Sequence, residues 1–266
     1  MPLYQLVLLA LIQGLTEFLP ISSSGHLILL PELTSLEDQG ALIDIAAHVG
    51  SLAAVLAYFR RDTVRLVVGG LQAAQLKFTD DSRMFLYIAG ATVPVIAAAA
   101  VLVLFDATEA FRSAEVIAWA TIIFAIPLFI ADKYAPRLRQ VEDMTWRRAL
   151  LIGGAQLFAI VPGASRSGVT ITAARALGFT RPEAARFSML LAIPTISAFG
   201  LFSALELAGQ GDVGRLSDAA IVAGLSFLSA YGAIFVFMKW LEKADMTLFV
   251  FYRLALGAGL LAIIYL

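Results

Sequence analysis

Residues Gln13 to His26 read QGLTEFLPISSSGH. An apolar run from Leu3 to Ile12 leads into them. Gln13 and Glu17 stand one helical turn apart, so their side chains share one face. Pro20 then ends the helix, because it lacks an amide donor and its ring collides with the preceding turn. Ser22, Ser23, Ser24 and Gly25 follow, and His26 opens a second apolar run. A carboxylate, three hydroxyls and an imidazole thus occupy a kinked loop between two apolar helices too short to cross a bilayer. Hydrocarbon tolerates irregular backbone only where protein or a water-filled cavity surrounds it. Ionisable side chains at that depth are functional by default, so the stretch is an active-site signal inside a membrane.

Outward from this loop the chain reads as one integral membrane domain, residues 1–266. Hydrophobic residues make up 60% of it and charged ones 15%, where a soluble domain carries about 25% charged. Mean hydropathy is +0.86. The formal net charge of -1 says little, since the placement of charge matters more than its sum. No nucleic-acid partner is expected. The absence of cysteine excludes disulfides and thiolate metal sites. With only His26 and His48 present, a histidine-rich zinc centre is implausible. The N-terminus lacks the basic region of a signal peptide, so Leu3 to Leu19 belongs to the mature fold.

Six stretches have the length of about 20 residues that a spanning helix needs. They are Ala41 to Phe59, Met84 to Phe105, Ala114 to Ala131, Phe187 to Leu205, Ala219 to Met238 and Thr247 to Leu266. Pro31 to Gly40 is an acidic surface connection. Ala149 to Leu177 is apolar but broken at VPGASRSG, and this break echoes the first: a Gln (Gln156), a proline (Pro162), then small and hydroxyl residues around a charge. Each half, roughly 1–135 and 136–266, therefore reads as one broken segment followed by three spans. An odd number of spans inserts the second copy upside down, as in many transporters. The expected fold is an all-α polytopic membrane protein with six transmembrane helices and two re-entrant helix-loop-helix segments in an inverted-topology repeat.

Charge fits this scheme, because cytoplasmic loops collect Lys and Arg. Fifteen of the 19 fall on one side: Arg60, Arg61, Arg65, Lys77 and Arg83 in one loop, and Lys133, Arg137, Arg139, Arg147 and Arg148 in another. Arg175, Arg181 and Arg186 follow the second break, and Lys239 and Lys243 occupy the last turn. The opposite loops hold only Arg112 and Arg215, and Arg166 and Arg253 lie within apolar runs. Both termini are then outside, and the two loops enter from opposite faces to meet near the midplane.

The second loop, Pro162 to Thr170, puts Ser165, Arg166, Ser167 and Thr170 at a helix start. Free amides and the positive helix end make such a start an anion site. An arginine there, with its planar fork of donors, points to phosphate. A structural arginine capping a kink is the plainer alternative. Glu17 and His26 supply complementary chemistry. The carboxylate can act as a base or hold a divalent cation through oxygen; the imidazole can attack phosphorus or protonate a leaving oxygen. A buried pair that only locks the loop is the plainer alternative. Ser23 and Ser24 rank lower, since turn hydroxyls are more often caps than nucleophiles. Asp44 and His48 form a polar stripe facing the bundle interior, and Arg253 snorkels near the end of its helix. No nucleotide-binding glycine loop is present, which argues against an ATP-driven pump.

The chain resembles the bacterial undecaprenyl-diphosphatases of the bacitracin-resistance type. One signature of that family is a Glu or Gln, three residues, Glu, then FLP-x-SS-x-GH, matched by Gln13, Glu17, Phe18, Leu19, Pro20, Ser22, Ser23, Gly25 and His26. The second is PG-x-SRSG-x-T, matched by Pro162, Gly163, Ser165, Arg166, Ser167, Gly168 and Thr170. FSMLLAIP from Phe187 and the Tyr252–Arg253 pair extend the likeness to nearly the whole length. Gln13 stands where many members carry Glu, and an amide cannot be a charged metal ligand or a base, so that role passes to Glu17. The resemblance implies hydrolysis of undecaprenyl diphosphate to undecaprenyl phosphate, recycling the lipid carrier of cell-wall precursors and conferring bacitracin resistance. It also implies a cytoplasmic (inner) membrane location, a site opening to the periplasmic or external side, and a divalent cation, Mg²⁺ or Ca²⁺. Glu17, His26, Arg166 and Ser23 are then the candidate catalytic residues, with Gln13, Ser22, Ser24, Ser165, Ser167 and Thr170 around the substrate.

Membrane phosphatases of the phosphatidic-acid type offer a comparison, with a PSGH motif and then SR, five residues and a catalytic His. Here position 172 is Thr172 and no histidine follows, so that class is rejected. The rival from another class is a polyprenyl-phosphate transporter or flippase, since broken helices in inverted repeats are transporter architecture and fold alone does not settle function. The nucleophile stays open among His26, Ser23 and water, as does the choice between a monomer and a homodimer.

Overall fold

The computed structural model describes residues 1–33, 39–105, 113–208 and 216–266. Arg112, Arg215 and residues 34–38 of the Pro31 to Gly40 connection lie outside the described residues. Regular structure among the described residues is helical throughout, with one isolated β-bridge between Arg139 and Phe179. The helices are α1 (Leu3–Thr16), α2 (Ser23–Leu33), α3 (Ala41–Tyr58), α4 (Arg60–Ala74), α5 (Asp80–Leu104), α6 (Ala114–Tyr134), α7 (Trp146–Ala155), α8 (Arg166–Ala176), α9 (Arg181–Ala208), α10 (Leu216–Lys243) and α11 (Thr247–Tyr265).

Six of them, α3, α5, α6, α9, α10 and α11, are long and apolar enough to cross a membrane. They coincide with the six expected stretches, but several run further into the polar flanks. α5 begins at Asp80 because Thr79 and Ser82 form a capping box, each side chain bonding the other's amide at 3.2 and 2.8 Å. The remaining five are short, α4 being the longest at 15 residues. α1 has 14 residues, α2 and α8 have 11 each and α7 has 10, so at about 1.5 Å per residue none covers a hydrocarbon core of about 30 Å. α1 stops at Thr16, four residues before Pro20, at the position whose carbonyl a proline ring obstructs.

Packing fixes the helix directions around the short pairs. The Met1 amine pairs with Asp218 at 3.0 Å, and Ser229 donates to the Ala10 carbonyl at 3.0 Å, so α1 runs alongside α10 in the same sense. Gly50 lies against Ala223 and Tyr58 against Tyr231, so α3 runs with α10 as well. α1 and α3 are therefore parallel, with α2 between them in the chain. In the second half α7 runs with α5, Trp146 packing on Tyr87 and Gly153 on Ala91.

Sequence reading leaves Arg60 to Arg83 as a loop, whereas residues Arg60–Ala74 form α4. Hydropathy misses it because three arginines and a Gly-Gly pair sit among its apolar residues. Val64, Val67, Val68 and Leu71 share one face at helical spacing, and that face is exposed while Gly69 lies against the Asp81 carbonyl on α5.

Some basic residues counted as loop charge are not at the surface. Arg175 is fully buried, its Nε 3.3 Å from Asp132 and its other donors on the carbonyls of Pro136, Phe179 and Ala135. Arg181 makes a two-pronged contact with the same carboxylate, at 2.7 and 2.8 Å, and Asp132 also accepts from the Met246 amide at 3.1 Å. One carboxylate thus ties α6, α8, α9 and the start of α11 together. In the same region Lys133 pairs with Asp245 at 2.7 Å, and the ammonium holds that carboxyl well below the usual carboxylate range.

Candidate active site

The two loops are built alike. Ser22, immediately before α2, has φ +72°, and its Oγ accepts from the Gly25 amide at 3.3 Å. Ser165, immediately before α8, has φ +71°, and its Oγ accepts from the Gly168 amide at 3.1 Å. A left-handed serine is strained, and such strain gathers at functional turns. The next residue in each loop opens a helix: Ser23 on α2 and Arg166 on α8. Both stand at positive helix ends, where amides without intrahelical partners favour an anion.

Glu17 joins them. Its Oε1 accepts from Arg166 NH2 at 2.9 Å, and its Oε2 accepts from Ser23 Oγ at 2.6 Å and from Gln13 Nε2 at 2.9 Å. The carboxylate is 8% exposed. Two further bonds close the loops on each other: Ser167 Oγ donates to the Leu19 carbonyl at 2.7 Å, and the Gly163 amide donates to Ser22 Oγ at 3.2 Å. Gly163 is required twice over. Its φ is +92°, and a Cβ there would lie 2.5 Å from the Ile117 carbonyl. Arg166 rests over the Phe18 ring at 5.8 Å and donates to the Ser188 carbonyl at 3.3 Å.

The expected site residues therefore fall into groups. Glu17, Arg166, Ser23 and Gln13 form one hydrogen-bonded cluster. Ser22 and Ser165 are caps, with Ser24 Oγ 3.4 Å from Ser22 Oγ. Ser167 and Thr170 hold the second loop, Thr170 Oγ donating to the Arg166 carbonyl at 2.8 Å and meeting Ser188 Oγ at 2.7 Å. His26 is committed elsewhere. Its Nδ1 lies 2.7 Å from the Ser22 carbonyl, which only accepts, so that nitrogen carries the proton. Its Nε2 then accepts from the Tyr252 hydroxyl at 2.6 Å.

Three residues ranked low by sequence belong to this neighbourhood. His48, read as part of a polar stripe on α3, has Nε2 3.9 Å from Glu17 Oε2, with its Nδ1 held by the Asp44 carbonyl at 2.8 Å. Tyr252 anchors His26. Arg253 does not snorkel: it is 0% exposed, and its guanidinium is surrounded by backbone carbonyls of both loops and of α6. The i, i+4 spacing of Asp44 and His48 shows a shared face, but nothing local names the partner across the bundle.

The fit to a resident divalent cation is poor. Glu17 is the one carboxylate of the cluster, and each of its oxygens already receives a proton donor. A guanidinium 2.9 Å away also opposes a second cation. Among the described residues no three His, Asp or Glu side chains gather.

Fold and site together define a multi-pass membrane protein with phosphate chemistry built into its interior. The chain belongs to the bacitracin resistance protein BacA family, whose sequence profile matches residues 6–259. It is similar along its length to the undecaprenyl-diphosphatase of Maricaulis maris, 53% identical over 264 residues that cover 98% of each chain. That of Thioalkalivibrio sulfidiphilus is 48% identical over 268 residues, again 98% of each, and that of Ruegeria pomeroyi 46% identical over 267 residues, the whole of both chains.

Proposed function

We infer that this chain is an undecaprenyl-diphosphatase, releasing inorganic phosphate from undecaprenyl diphosphate and returning the lipid carrier of cell-wall precursors to its monophosphate. Family membership and full-length similarity to proteins of that name carry the substrate. The observation that carries the chemistry is the Ser23–Glu17–Arg166 cluster between two helix N-termini. Ser23 Oγ donates a 2.6 Å hydrogen bond to Glu17, so the carboxylate is placed to take the proton as Oγ attacks the terminal phosphorus. Arg166 and the free amides of α2 and α8 stabilise charge on the transferring phosphoryl group. The P–O bond to the lipid phosphate breaks, and undecaprenyl phosphate leaves. Water then attacks the phosphoserine, Glu17 returns the proton to Oγ, and phosphate departs. The hydrogen bonds made by both ring nitrogens of His26 favour a supporting role for it over attack on phosphorus.

Mg²⁺ or Ca²⁺, where needed, would come with the diphosphate, since the described residues offer no cage for it. The parallel α1 and α3 support a first segment that returns to the face it enters, and the like-built turns at Ser22 and Ser165 support an inverted repeat. The basic loops support a cytoplasmic-membrane protein whose site opens to the external side. A homodimer would use outer helix faces, because the site is complete within one chain; light scattering of the solubilised protein counts the copies. Phosphate release from lipid diphosphate by purified protein in nanodiscs tests the function. Lipid translocation without phosphate release would make the chain a transporter instead.

A further inference from the structure

Arg253 lies inside α11 with no carboxylate against it among the described residues, and its side chain is fully buried. A buried cation without a counter-ion is expensive unless dipoles surround it. Here they do. Nε donates to the Thr121 carbonyl at 3.1 Å, and NH2 donates to Gly163 at 2.9 Å and Ala120 at 3.5 Å. NH1 donates to Pro20 at 3.2 Å and Ala164 at 3.1 Å. Pro20 belongs to the first loop and Ala164 to the second, so a single nitrogen bridges them. All five N–H groups of the guanidinium are engaged, and none touches Glu17, Ser23 or Arg166.

We propose that Arg253 is a positioning residue that sets the spacing and register of the two loops for phosphoryl transfer. Pro20 is three residues before Ser23, and Ala164 two before Arg166, so the two H–N bonds of NH1 fix where the nucleophile and the phosphate clamp stand relative to each other. Gly168 leaves room for the arrangement, since a Cβ there would lie 2.9 Å from NH1. Lysine could keep the charge, but three donors on one nitrogen cannot reach carbonyls on both loops and on α6.

The proposal rests on the phosphatase reading, and one experiment separates them: phosphate release by the parent protein tests that reading, and variants measured against it test Arg253. Arg253→Lys is expected to lower kcat at least tenfold with KM within about twofold, because binding groups remain while their alignment is lost. A merely structural role would instead lower the unfolding temperature and leave kcat per folded molecule unchanged. If Arg253→Lys does not fold, Arg253→Gln keeps part of the donor fork without altering either loop, and the same selective loss of kcat is expected. Parent-like kcat per folded molecule in whichever variant folds, or a loss confined to KM, overturns the proposal.

Discussion

Replacing Glu17 by Gln removes one charge at nearly constant shape and asks the most of this site. Three donors converge on the carboxylate, from Arg166, Ser23 and Gln13 at 2.9, 2.6 and 2.9 Å. An amide can offer its oxygen to only one side. If the oxygen faces Arg166, the NH2 group faces Ser23 and Gln13, so the serine hydroxyl must turn and accept. Its lone pair is then tied up, and its proton has no base. Loss of general base catalysis is expected to reduce kcat by about two to four orders of magnitude, or about 2.7 to 5.4 kcal/mol of barrier at 1.36 per decade. KM should hold or fall, since Arg166 is no longer shared with a carboxylate and meets the diphosphate unpaired. Unfolding temperature should drop, because the Arg166 side chain, only 13% exposed, loses its ion pair. The assay is phosphate release from lipid diphosphate in nanodiscs, beside a thermal melt of the same sample. A folded Glu17→Gln protein with kcat within threefold of the parent refutes the assignment of Glu17 as the base.

Rapid acid quench of the parent should trap an acid-stable phosphoryl group that Ser23→Ala lacks; an acid-labile, base-stable label lost in His26→Ala would move the nucleophile to the imidazole. Arg166→Lys keeps the charge without the fork and should cost well over tenfold in turnover, measured by the same phosphate assay; parent-like activity removes Arg166 from the site. Asp132→Asn strips two buried arginines of their shared carboxylate and should destabilise the fold by about 3 to 5 kcal/mol, seen as a lower melting temperature with activity per folded molecule intact. Single cysteines at Ser113 and Gln140 test orientation: an impermeant thiol reagent applied to whole cells should label the first alone, and the reverse pattern inverts the topology.

Much of the fold is legible because hydrocarbon imposes simple rules. Runs such as Ala114 to Ala131 have no soluble alternative, and Pro20 stops α1 by local sterics that need no tertiary information. The Gln13–Glu17 pair and the SRSG start are likewise local, so half of the site is visible before the chain folds. What connects the halves is not. Nothing around His48 says that a carboxylate from another helix approaches it. Arg253 looks like any arginine near a membrane surface, and only the carbonyls of Pro20, Gly163 and Ala164, from distant segments, show otherwise. α4 escapes for the opposite reason: its pattern is plain, but its exposed valines and leucine make sense only with lipid beside them.

The Glu17–Arg166 contact closes over 149 positions of sequence. At about 5 to 20 residues per second of synthesis, a nascent chain holds Glu17 for roughly 7 to 30 s before the matching arginine exists. During that interval the opening hairpin has no cation to neutralise it in the bilayer, so it should linger at the water boundary while later helices insert. Enzymatic competence then arrives late and abruptly, with the final third of the polypeptide. Chains released from the ribosome ahead of residue 253 would possess the catalytic cluster yet lack its brace, and ribosome-stalled intermediates of graded length offer a direct view of that order of assembly.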